Sequence, residues 1–275
     1  MKKISSLSKL YLLVVFLVMY APILVLIFFS FNEGNSTSVF TGFSLHWYSA
    51  VFQNEYVMKA LYNTLILATL SAVISTVLGT AAAVGISRLK RWQRTAVNTV
   101  TNIPMMNPDI VTGVSMLLLF VFAGSLLNIQ SVLGFWTLLI AHITFNLPYV
   151  ILSVQPVLSK VDVHLSEAAQ DLGCTPAKAF FKVVLPSISS GIVTGFMMAF
   201  TLSVDDFVIS FFTTGPEFTT LPLYIYSMTK KPVKPDINAL STIMFVVVLV
   251  LLVLINLHEA RNEKREQQAR KGVRS

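Results

Sequence analysis

Long apolar runs alternate with short polar stretches along this chain. Six runs stand out, at residues 10–31, 61–86, 110–127, 135–154, 188–212 and 240–257. Each approaches the ~20 residues that a helix rising ~1.5 Å per residue needs to cross ~30 Å of hydrocarbon. Runs such as Phe245-Val246-Val247-Val248-Leu249 lack the in–out alternation of a membrane barrel strand. The pattern predicts an all-α, polytopic membrane protein with six transmembrane helices, read as a single domain over residues 1–275. The first run follows Lys2, Lys3 and Lys9 as a signal peptide would. It exceeds the roughly 7–15 apolar residues of such a peptide, so a retained helix is expected.

Composition agrees: 55% of the residues are hydrophobic and 12% charged, where soluble domains are about a quarter charged. Charge then orients the chain. Lys2, Lys3 and Lys9, the loop of Arg88, Lys90, Arg91 and Arg94, the polar loop of Lys160, Lys178 and Lys182, and the basic tail over 259–275 all fall on one side. Only Lys59, Lys230, Lys231 and Lys234 fall on the other. Basic loops stay inside, so both termini and the polar loop are expected in the cytoplasm of a cell-membrane protein. The positive net charge is thus explained by topology and lipid contact, and nucleic-acid binding is not expected. The single cysteine, Cys174, permits no internal disulfide and is read as a plain small residue.

The polar loop, about 160–187, separates the fourth and fifth runs. Asp162 is a candidate N-cap, and Gly173 stands where a left-handed residue ends a helix. Thr175 and Pro176 then fit the N-cap and first position of a second short helix, with Pro186 marking the exit into the fifth span. A helix, a tight turn and a helix are expected beneath the membrane. Such a pair can rest on lipid or dock on a protein. Asp162, Glu167 and Asp171 favour a protein, because anionic lipid repels them.

The spacing Glu167-Ala168-Ala169, Gly173, Val183, Leu185-Pro186 resembles the EAA loop of ABC-importer permeases, with Val183 where that family has Ile. The resemblance implies a type I ABC-importer permease fold with cytoplasmic coupling helices between spans 4 and 5. It implies that these residues dock on a cytoplasmic ATP-binding subunit, in two copies, which holds the ATP and Mg. A second homologous permease and an external binding protein are implied as further partners.

Acids lie within or beside the spans: Asp109 opens the third, and Asp205 and Asp206 lie late in the fifth. No Lys or Arg in the spans neutralises them. A charge at mid-membrane costs at least ~2.5 kcal/mol, so these groups should face the bundle or a water-filled path. Asp109 reads either as a helix cap or as a path residue. Asp205 and Asp206 read either as polar glue held by Ser203 and Thr201 or as path residues. A proton relay including His142 and Asn146 is a third use. A route lined by acids without bases favours cationic cargo, and aromatic faces such as those of Trp47, Tyr48, Tyr224 and Tyr226 suit ammonium groups. Each is also a plain interface anchor.

The stretches around Trp47, Met106-Asn107-Pro108-Asp109, Ala141-His142-Ile143-Thr144-Phe145, Thr201-Leu202-Ser203-Val204-Asp205-Asp206 and Leu221-Pro222-Leu223-Tyr224 are similar to the spermidine/putrescine permeases of ABC importers. That resemblance implies polyamine passage involving Asp109, Asp205, Asp206, Ser203 and Trp47. The chain has no phosphate-binding Gly-x4-Gly-Lys-Ser/Thr motif, so no ATPase site, catalytic group, metal or cofactor of its own is expected. Gly191 and Gly195 should form a close-packing face, a partner permease being one surface it could meet. An ABC permease for another solute (iron, thiamine or another amine) and a proton-coupled secondary transporter are the alternatives.

Overall fold

The computed structural model describes residues 6–34, 39–129, 131–162, 164–230 and 235–272. Lys2, Lys3, Lys231, Lys234 and the last three residues of the basic tail, used above for orientation, lie outside the described residues.

Among the described residues every regular element is helical. The first run becomes α1 (Ser6–Ser30), and α2 (His46–Gln53) is a short helix of the following loop. The second run becomes α3 (Glu55–Ser87). Next come α4 (Arg91–Met106), α5 (Asp109–Leu126) and α6 (Phe135–Leu158). The polar loop forms α7 (His164–Asp171), α8 (Pro176–Ala179), a π-helical turn at Phe180–Val184, and α9 (Leu185–Ser187). The fifth run gives α10 (Ser189–Asp205) and α11 (Val208–Thr213), followed by α12 (Leu221–Thr229) and α13 (Pro235–Gly272).

Among the described residues five helices are long and apolar enough to span a bilayer, and a sixth span follows if the bent pair Pro176–Ser187 and Ser189–Asp205 counts as one. The fifth span therefore departs from the expected continuous run over 188–212. It ends as helix at Asp205, Asp206 is extended, and α11 restarts at Val208. The entry to this span also differs: the chain bends by 69° at Ile188 rather than at Pro186. Pro186 sits within the first turn of α9, just after the π turn. Proline has no N–H to return to the carbonyl four residues back, and a widened turn accommodates that loss.

The chain divides into two compact units, Met1–Ala60 with Tyr224–Val247, and Leu61–Leu223 with Val248–Ser275. In the first, Asn32 is fully buried and organises its loop. Its side chain donates to the Val39 carbonyl and accepts from the Thr41 N–H and hydroxyl.

The second unit is built on α6, which buries Leu138, Val150 and Val154 and packs against α10. Gly191 and Gly195 form a close-packing face against α6. A Cβ on Gly191 would meet the Ser153 carbonyl at 2.9 Å, and one on Gly195 would lie 3.3 Å from Val150. Small residues let the two backbones approach, and dispersion replaces the hydrophobic effect as the driving force in lipid.

Candidate functional site: the broken fifth span and the polar loop

The polar loop folds as its local chemistry dictates. The Asp162 carboxylate accepts the His164 N–H at 3.0 Å, opening α7. At the other end Gly173 has φ +86°. Its N–H bonds the Gln170 carbonyl at 2.9 Å, and the Cys174 N–H bonds that of Ala169 at 3.0 Å. Those two bonds make a Schellman motif, which satisfies the last carbonyls of α7. The Thr175 hydroxyl accepts the Lys178 N–H at 3.4 Å, and Pro176 occupies the first turn of α8.

Of the EAA-like residues, Ala169 is buried, Val183 and Leu185 are half-buried, and Glu167, Ala168, Gly173 and Pro186 are exposed. Glu167 accepts a hydrogen bond from His164 Nδ1 at 2.8 Å. That bond and the Glu167 charge hold the His164 imidazolium above its ordinary pKa. His164 was missed in the sequence, although its three-residue spacing from Glu167 is the signal for such a pair. Among the described residues of this polar segment, Leu172 is 88% exposed, Phe181 63% and Leu165 43%. Behind α7 lies a recess of about 670 Å³, whose walls include Arg88, Arg94, Gln155, Asp162 and Glu167.

The span break is built from distant partners. The Asp206 carboxylate accepts the backbone N–H of Ile209 at 3.2 Å and of Ser210 at 2.8 Å, so it caps α11. His142 Nε2, on α6, stands 3.5 Å from the same carboxylate and 3.2 Å from the Ser210 hydroxyl. A carboxylate acceptor selects the form of His142 with a proton on Nε2. His142 and Ser210 are buried, and the Asp206 side chain is 8% exposed. One turn earlier, Ser203 Oγ accepts from Asn146 Nδ2 at 2.8 Å and lies 2.9 Å from Ser71 Oγ. This links α6, α10 and α3 through buried polar groups, each of which would cost ~1–3 kcal/mol if left unpaired.

The expected path residues thus separate. Asp206 and Ser203 turn inward and brace the bundle. Asp205 is exposed on the last turn of α10, and among the described residues its carboxylate makes no hydrogen bond or ion pair to another residue's side chain. Asp109 is the first residue of α5, also exposed and also without a side-chain hydrogen bond among the described residues. Trp47 belongs to the other unit. There its indole N–H donates to the Asn32 carbonyl at 2.8 Å, beside a cavity of about 100 Å³ that Asp236 and Asn54 also line. Among the described residues no three His, Cys, Asp or Glu side chains gather to hold a metal ion.

Apolar spans, an interrupted helix with acids at its break, and a structured polar loop between spans are compatible with a transport permease. Residues 75–266 match the family of binding-protein-dependent transport system inner membrane components, and the chain belongs to that family. It is 41% identical to the spermidine/putrescine transport system permease protein PotC of Escherichia coli strain K12, over 87% of this chain and 88% of that one. It is 37% identical to the putrescine transport system permease protein PotI of the same strain, over 95% of each chain. In fold it matches a crystal structure of a bacterial ABC transporter that imports the acidic polysaccharide alginate. The TM-score is 0.69 at 18% identity, over 92% of this chain and 93% of that one.

Proposed function

We propose that this chain is a permease subunit of an ATP-driven polyamine importer of the cytoplasmic membrane. The observation that carries the reading is near-full-length similarity to permeases of spermidine and putrescine systems. The chemistry supports it. Exposed Asp205 and Asp109 offer carboxylates that no basic residue of the spans neutralises, and a polyammonium chain complements them. Asp206 and Ser203 hold the frame behind Asp205, and Trp47 serves the outer approach, where an indole face suits an ammonium group.

The polar loop is the point of attachment to the ATP-binding subunit, with Glu167, Ala168, Ala169, Gly173, Val183, Leu185 and Pro186 setting its shape. Bare Leu172 and Phe181 in this polar segment support a protein cover there. Both termini and the loop face the cytoplasm. Two ATPase copies with their ATP and Mg, a second permease and an external polyamine-binding protein complete the machine, and this chain contributes no cofactor.

The first test is co-purification: the tagged chain brings down an ATP-binding subunit. Reconstituted with its partners, the complex takes up labelled putrescine or spermidine only with ATP. Asp205→Asn with Asp206→Asn lowers that uptake by about tenfold or more. Normal uptake at limiting substrate in the double variant would remove the acids from the path. Iron or thiamine in place of polyamine, with no polyamine competition, would redirect the cargo. The His142–Asp206 contact favours one other reading, a proton-driven carrier. Uptake that persists without ATP hydrolysis and collapses with the proton gradient would establish it.

A further inference from the structure

Asp205 and Asp206 are adjacent in sequence, and in a continuing helix their side chains would diverge by only ~100°. Here the backbone leaves the helix at Asp206, with ψ 123°, and the two acids part completely. Asp206 points into the bundle, where α11 donates two N–H groups to it and His142 faces it. Asp205 stays on the open side. No glycine or proline lies at the break, so the backbone itself does not dictate it. The buried side chain aimed at it from another helix is His142, which is 1% exposed and reaches both Asp206 and Ser210 with one ring nitrogen.

We propose that His142 is a positioning residue for cargo: by holding Asp206 and Ser210 it fixes the α10–α11 break and so presents Asp205 to the path. The proposal rests on the polyamine-permease reading for its cargo, but its geometry does not. His142 acts through Asp206 and touches no substrate. The two acids then have different work, one binding the helix restart and the other meeting the ammonium groups.

The test uses the whole reconstituted transporter and reads polyamine moved per ATP hydrolysed. A residue that only aids folding changes the amount of complex and leaves this ratio alone. His142→Ala is expected to lower the ratio about tenfold, and Asp206→Asn comparably. The double variant should be no worse than the poorer single one, because both act through one contact. His142→Gln, whose amide nitrogen reaches the Nε2 position, should recover to within about threefold of the parent. An unchanged ratio in His142→Ala, or losses that multiply in the double variant, overturns the proposal. So does failure of His142→Gln to recover.

If His142→Ala does not assemble, Ser210→Ala takes its place. A lowered ratio supports the proposal, and an unchanged one overturns it. If the parent complex moves no polyamine, the cargo reading fails by itself. The same cycle is then read on the thermal midpoint of the complex. Non-additive midpoints keep the lock between His142 and Asp206, and additive ones remove it.

Discussion

Two of the helix breaks in the second unit, the one after Asp171 and the one after Asp205, are built differently. At 171–176 every bond that makes the break comes from residues within a few positions: Gly173 to Gln170, Cys174 to Ala169, Lys178 to Thr175. At 205–208 the cap is local but its anchor is not. His142 is 68 residues from Ser210 and sits on another helix. The environment explains the difference. In water a broken helix can satisfy its loose ends with solvent, so a glycine and a hydroxyl suffice to fix the turn. Among apolar helices each loose N–H must find a protein partner, and a charge needs several. The exposed break is therefore specified by its own letters, and the buried one by the bundle.

That contrast can be broken or sharpened by substitution. The largest effect should come from Asp206→Ala, which strips the acceptor from two N–H groups and from His142. A loss of about 3 kcal/mol is expected in the thermal unfolding of the purified complex. A loss under about 1 kcal/mol would mean that the buried break is as locally fixed as the exposed one. Gly173→Ala should cost about 1–2 kcal/mol, through the left-handed backbone alone, since nothing lies within 4 Å of the added Cβ. Faster hydrogen exchange at the Gly173 and Cys174 amides, with the fifth span unchanged, would mark the damage as local. Thr175→Ala should cost less, about 0.5–1 kcal/mol, because its capping bond is long. Exchange at the Lys178 amide reads it.

The smallest effect belongs to His164. Its pKa is raised in the folded chain, so the protonated form gains from the contact with Glu167. That gain is full below the unfolded value and disappears as pH rises through the raised folded value. Full exposure keeps it small. An NMR titration of the His164 ring should show the raised midpoint, and Glu167→Gln should bring it back toward the ordinary range.

The same division governs what could be read before the fold was known. Asp162, Gly173, Thr175 and Pro176 all occupy the positions their residue types suggested, because capping is a matter of near neighbours. The spans emerged as helices close to the apolar runs, since length and hydropathy decide them. The break after Asp205 was not legible, because Ser203-Val204-Asp205-Asp206-Phe207 holds no residue that ends a helix by itself. Its signal was His142 on the fourth span, which the sequence offers only to a proton relay. The amphipathic α4 was also missed, being polar and carrying Pro104 within it. At the candidate site the acids could be singled out from their cost in lipid. Which of them faced inward could not, because that depends on Ser210 and His142 meeting across the bundle.

Gly173 has one more consequence, and it concerns chirality. At φ +86°, with open space where a side chain would begin, the site suits a D-residue better than any L-residue. Semisynthesis with D-alanine at 173 should leave the turn intact, where its mirror image strains it. A genome cannot encode that choice. Glycine, with no handedness, is what translation can offer there, and asparagine is the nearest encoded substitute.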